Sequence, residues 1–150
     1  MKRFNKDFRF VILGIFAMLQ LSAFADGNRP ISFEQLPITA QQMIKTHFAG
    51  KNVVLCTVEN DVIGRDYQVM LDGGIKLEFS KKGEWKDVEC YGSSVPEAIV
   101  PEAIKQYVRQ NYPATTIVKI ERDRKSYDIK LNNRVEIEFN KKMQVVDIDL

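Results

Sequence analysis

Histidine, cysteine and tryptophan are scarce in this 150-residue chain, which has one, two and one of them. The lone histidine, His47, has no second histidine or paired thiolate to join it, which excludes an ordinary zinc centre. Standing near the end of a predicted helix, it reads as a solvated residue favoured by the helix dipole. No glycine-rich phosphate loop, nucleophile elbow or metal-protease helix motif occurs, so the enzyme classes that carry such signatures have no residues behind them. The chain is therefore read as a non-enzyme that needs no cofactor. Long apolar runs are also few. One spans residues 10–24, follows Lys2, Arg3, Lys6 and Arg9, ends in Ala23-Phe24-Ala25 and meets Asp26-Gly27-Asn28. A membrane-spanning helix needs about 20 apolar residues. The run is too short for that and has the three parts of a secretory signal peptide, with cleavage expected after Ala25 and no membrane anchor left behind. A periplasmic or secreted location follows.

Surplus charge disappears with the leader. Residues 1–25 hold four of the 22 Lys+Arg and one of the 20 Asp+Glu, leaving 18 against 19, a net of −1. Such a balance makes no electrostatic case for nucleic acid or an anionic membrane, which need a concentrated positive field.

What the sequence does have is an internal repeat. Residues 36–90 can be laid on residues 100–150 with one four-residue gap. Pro37 meets Pro101 and Gln42 meets Gln106; after the gap Tyr67 meets Tyr127, Leu71 meets Leu131, Phe79 meets Phe139 and Asp87 meets Asp147. Each copy opens with apolar residues at helical spacing: Leu36, Ala40, Met43, Ile44 and Phe48, then Val100, Ile104, Tyr107, Val108 and Tyr112. A short capping-box turn precedes each helix, around Ser32 and Ser94, and Pro37 and Pro101 fall in the first turn, where a missing N–H costs nothing. Period-two alternation follows and predicts strands over 53–59, 65–71, 75–80 and 85–91, then 117–122, 126–131, 135–140 and 145–150. Gly83 suits the left-handed end of one hairpin turn; its counterpart is Met143, which predicts strain or a different turn there. The expected fold class is α+β, with two tandem repeats over 26–91 and 92–150 in one compact domain. Each repeat is a helix, with its short preceding turn, packed on one face of a four-stranded antiparallel meander.

Leu36-Pro37 with a helix to Phe48, Tyr67-x-Val69 and Leu77-Glu78-Phe79-x-x-x-Gly83-x-Trp85 together resemble the PepSY-like, beta-lactamase-inhibitor-like family of secreted bacterial proteins. Val100-Pro101, Asn111-Tyr112-Pro113, Ile117-x-x-Ile120-Glu121 and Glu136-Ile137-Glu138-Phe139 repeat the pattern. The resemblance covers nearly all of the mature chain. It implies a beta-lactamase-inhibitor-protein-like fold with one open antiparallel face, and no catalytic residue. PepSY modules are associated with binding or restraining peptidases, which makes inhibition of a secreted hydrolase one expectation, although fold alone does not transfer function.

Where the copies agree, packing explains the residues; where they differ, it does not. Leu55, Met70, Trp85 and Tyr91 are expected on the open face of the first copy, opposite Lys119, Lys130 and Val145 in the second. Exposed aromatics and methionine suit a protein or peptide partner in the cell envelope. The four-residue insertion predicts a longer loop over 60–66, presenting Val62 and Ile63. Cys56 and Cys90 align with Ile120 and Leu150 and read as core thiols, about 14 Å apart in a simple meander and beyond disulfide reach. Asp87, Glu89, Asp147 and Asp149 face outward on equivalent strands. They supply the alternative reading, a small-ligand or cation sensor, against solubility and edge protection.

Overall fold

The structure, a computed structural model, describes residues 28–61 and 64–150. The signal peptide expected over 1–25, and Val62 and Ile63, lie outside the described residues. The strands are β1 (Asn28–Ile31), β2 (Val53–Asp61), β3 (Gly64–Leu71), β4 (Ile75–Phe79), β5 (Trp85–Cys90), β6 (Ile117–Arg122), β7 (Ser126–Leu131), β8 (Glu136–Asn140) and β9 (Val145–Asp149). They form one nine-stranded antiparallel sheet in sequential order. Two helices, α1 (Ile38–His47) and α2 (Glu102–Asn111), each ten residues long, contribute Ala40, Ile44, Ile104 and Val108 to the core on one face.

The α+β expectation of two tandem helix-plus-four-strand repeats is corrected by this architecture. The molecule is mostly β, and its sheet does not divide between the expected halves. β5 pairs with β6 through Asp87↔Glu121, Val88↔Ile120 and Glu89↔Lys119. The physical reason is that a separate meander would leave a row of unpaired N–H and C=O groups along its edge, and joining the edges satisfies them. A ninth strand enters the same way. β1, unforeseen in the sequence, pairs antiparallel with the outer half of β2, from Asn28↔Glu59 to Ile31↔Cys56, and places Pro30 on the sheet edge.

Alternation sets the faces. Tyr67, Val69, Leu71, Ile75, Leu77 and Phe79 are buried with Ile120, Ile129, Leu131, Ile137 and Phe139 on the helix side. Phe139 also meets Tyr107 of α2 edge-on, with ring centroids 5.4 Å apart. The capping box at Ser32 is formed, its N–H donating to Gln35 Oε1 at 2.9 Å. The prolines differ slightly from expectation: Pro37 and Pro101 occupy the N-cap, and the helices begin one residue later.

The insertion is absorbed as strand. β2 and β3 remain paired through Glu59↔Asp66 and Asn60↔Arg65 to Asp61↔Gly64, so the long loop expected over 60–66 is a hairpin extension. Met143 answers the other local question. It adopts φ 60°, as Gly83 adopts φ 80°, so both turns have a left-handed residue there and a methionine carries the strain in one of them.

Candidate functional site

The face away from the helices holds the candidate surface. Because Cys56 and Val58 point into the core, Leu55 and Thr57 point outward, and the register carries that face across the sheet. Leu55 opposes Met70, and each is 40% exposed. Lys76 follows opposite Met70, and Glu89 opposite Lys76. Tyr91, 56% exposed, stands just past the end of β5, its N–H donating to Gly74 O at 3.1 Å and its ring 5.3 Å from Lys76 Nζ. The Tyr91 hydroxyl is pushed up to about 12, first by its hydrogen bond to the Glu89 carboxylate and then by burial. Leu55 and Met70 therefore make an exposed apolar pair, and Tyr91 flanks the same Lys76 that opposes Met70. Val53, exposed too, pairs across a bulge with the buried Leu71 and so belongs to the helix side.

Trp85 does not join Leu55, Met70 and Tyr91. A bulge between Glu78 and Phe79 pairs Trp85 with Phe79, a fully buried helix-side residue, and Trp85 packs partly buried against the core. The Arg122 guanidinium stacks 4.2 Å from the ring centre and donates through Nη2 to Trp85 O at 2.8 Å. The bulge reverses the side expected from simple alternation, which assumes one residue opposite one residue.

Toward the hairpin ends of β4–β9, the open face carries a second feature. Consecutive register partners Glu78, Asp87, Glu121, Asp128, Glu138 and Asp147 form a row of carboxylates across six strands. Like charges directly opposite one another are destabilising, so cations enter the row. Lys86 Nζ lies 2.6 Å from Asp66 Oδ2 and 2.9 Å from Glu78 Oε1, and Lys119 Nζ lies 2.9 Å from Asp87 Oδ2 and 3.9 Å from Glu121 Oε2. Burial pushes Asp87 up to about 6, and Glu121 and Glu89 add to this, against the opposing pull of Lys119. Asp87 Oδ1 is buried without a hydrogen-bond partner. Among the described residues, no three His, Cys, Asp or Glu side chains come together closely enough to hold a metal ion.

Of the acidic residues singled out in the sequence, Asp87 and Asp147 share this row, while Glu89 and Asp149 sit on the neighbouring one with Lys76, Lys119, Lys130 and Glu136. Glu121 and Asp128, which close the row, were missed. Their period-two positions were legible, but only the β5–β6 pairing aligns them with Asp87. Cys56 and Cys90 are free and buried, on β2 and β5, three strand spacings apart. Burial pushes the Cys56 thiol up to about 11 and raises Cys90 as well, so neither is poised as a nucleophile.

Solved structures share this architecture. A "putative periplasmic protein" from Bacteroides vulgatus is 48% identical, with a TM-score of 0.81 over 84% of this chain and 99% of its own. A "putative calcium-regulated periplasmic protein" from Bacteroides thetaiotaomicron is 46% identical, with a TM-score of 0.80 over 82% and 97%. A second Bacteroides vulgatus protein, described as periplasmic and of unknown function, is 36% identical, with a TM-score of 0.79 over 83% and 100%. Among curated proteins, none matches the sequence. The family model described as "Putative beta-lactamase-inhibitor-like, PepSY-like" matches residues 65–147, and the chain belongs to that family.

Proposed function

We infer that this chain is a non-enzymatic binding module of the bacterial envelope that engages a protein or peptide through its open sheet face. The observation that carries the reading is the exposed apolar pair Leu55 and Met70 with exposed Tyr91 on the far side of Lys76, on a face whose other positions are charged. Clustered apolar and aromatic side chains on an otherwise polar surface are typical of partner sites. The carboxylate row beside these residues favours a partner with basic side chains flanking an apolar one. An envelope location rests on the leader-like N-terminus and on relatives described as periplasmic. Inhibition of a secreted hydrolase is the narrower form of this reading, and the family's description supports it.

A photo-crosslinking residue placed at Tyr91 or Met70 in cells tests the reading. A discrete adduct from both positions, absent from the same probe at Lys45, is the expected result. Equal labelling at all three would overturn it. For the narrower form, saturating protein should depress the activity of a co-resident peptidase or beta-lactamase, and full retained activity removes it.

A cation-sensing role is the second reading, suggested by the relative described as calcium-regulated; the acidic row is its only candidate locus, although among the described residues no three of its carboxylates gather at one point. Calcium should then raise the melting temperature, because a ligand that binds only the native state stabilises it. Asp87→Asn with Glu121→Gln should abolish that rise, and no rise in the unaltered protein would sink the idea.

A further inference from the structure

The net charge of −1 after the leader conceals a segregation that the fold creates. Connections between antiparallel neighbours return to the same end of the sheet at every second strand, and three in succession are basic. Lys81-Lys82 lies between β4 and β5, Arg124-Lys125 between β6 and β7, and Lys141-Lys142 between β8 and β9. All six are exposed. Adjacent connections stand two strands apart, about 9–10 Å, so the three doublets span a line of about 19 Å along one rim.

Little at this rim neutralises them. The only acidic residues in the three connections are Glu84 and Asp123. Asp123 Oδ1 accepts the backbone N–H groups of Lys125 and Ser126, the latter at 2.7 Å. Among the described residues, Lys81, Lys82, Arg124, Lys125 and Lys142 form no salt bridge. The N-terminal turn of α1 is also here, since a Cβ built on Gly83 would lie 2.8 Å from Ala40 N, and its partial positive charge adds to the field. The carboxylate row begins three residues back from the first lysine of each lysine doublet, at Glu78 and Glu138. That is about 10 Å along the strands, the distance over which salt screens one exposed charge from another.

We propose that this basic rim is a docking edge for the anionic headgroups of a membrane surface, on which the sheet stands with its strands upright. A straight line of paired cations fits a plane of phosphates, and each cation near such a surface adds about fivefold to binding. Single-stranded nucleic acid is the poorer fit, because binding it relies on free aromatic faces. The two rings nearest the rim are already covered, Trp85 by Arg122 and Tyr127 by Lys141, each at 4.2 Å. Standing upright leaves the open face accessible from the side, so membrane contact and partner capture do not compete.

Co-sedimentation of the leaderless protein with vesicles tests this. Vesicles of phosphatidylglycerol and phosphatidylethanolamine should retain the protein at 50 mM salt and release it at 500 mM, and phosphatidylcholine vesicles should not retain it. Lys81→Gln, Lys82→Gln, Lys141→Gln and Lys142→Gln combined should lower retention by at least a hundredfold with an unchanged circular dichroism spectrum. Lys45→Gln with Lys51→Gln, which removes exposed charge elsewhere, should change it less than tenfold. Equal retention on both vesicle types, an unaffected rim variant, or tighter binding to a single-stranded oligonucleotide than to the anionic vesicles would each overturn the proposal.

Discussion

Asp87 bears the strain of the carboxylate row. It lies between Glu78 and Glu121 in register, with Lys119 as its ion-pair partner and one oxygen unpaired. Its folded pKa, about 6, lies above the ordinary value of 3.8, so between those values the native state holds a proton that the unfolded chain has lost. This contribution is therefore present in acid and is lost as pH rises through about 4 to 6. Asp87→Asn should remove that component: the stability difference between variant and parent should shift in the variant's favour by about 1–2 kcal/mol from pH 4 to pH 7. Urea unfolding at a series of pH values measures it, and a difference independent of pH would refute it. Arg134 offers a second test, being exposed at φ 75° in the β7–β8 turn. Arg134→Gly should raise stability by about 1 kcal/mol, read from the urea midpoint, because a left-handed backbone is costly for any residue with a Cβ. Asn132 and Asn133, residue types that tolerate a left-handed backbone, stand in that turn, yet the positive φ falls one residue later at Arg134, since hairpin geometry selects the position.

At the scale of elements, the β4–β5 turn and α1 are locked together through Gly83. A Cβ there would lie 2.8 Å from both Ala40 N and Pro37 Cβ, at a φ of 80°. Gly83→Ala should therefore destabilise by more than about 1–2 kcal/mol, the backbone term alone, because α1 must also shift. The β8–β9 turn has no such glycine; Met143 carries the left-handed φ there and packs its side chain against the core. Phe139→Ala, which empties the site beneath Tyr107, should cost about 3–5 kcal/mol, measured in the same urea titration. Helix stripes, strand alternation and most turn positions were legible in the sequence, because they depend on neighbours three, four or two residues away. Trp85 was not. One bulge at Glu78/Phe79 transfers it to the helix side, and nothing in local alternation announces a bulge.

For the whole molecule, the decisive contact is the short β5–β6 pairing, where Val88 and Ile120 are both fully buried. A continuous sheet predicts one cooperative unit. Calorimetry should give a single transition with equal calorimetric and van't Hoff enthalpies, and Val88→Ala should lower that transition without splitting it. Two separable transitions would show that the halves fold independently. By itself the sequence determined the leader-like N-terminus, the family, the two helices and eight of the strands, because each is written in composition or short-range periodicity. Only the tertiary structure decided that the strands form one sheet, that β1 closes its edge, that six carboxylates align and that three basic turns share a rim. These depend on which strand edges meet, and edge pairing is set by backbone hydrogen bonds between segments far apart in the chain.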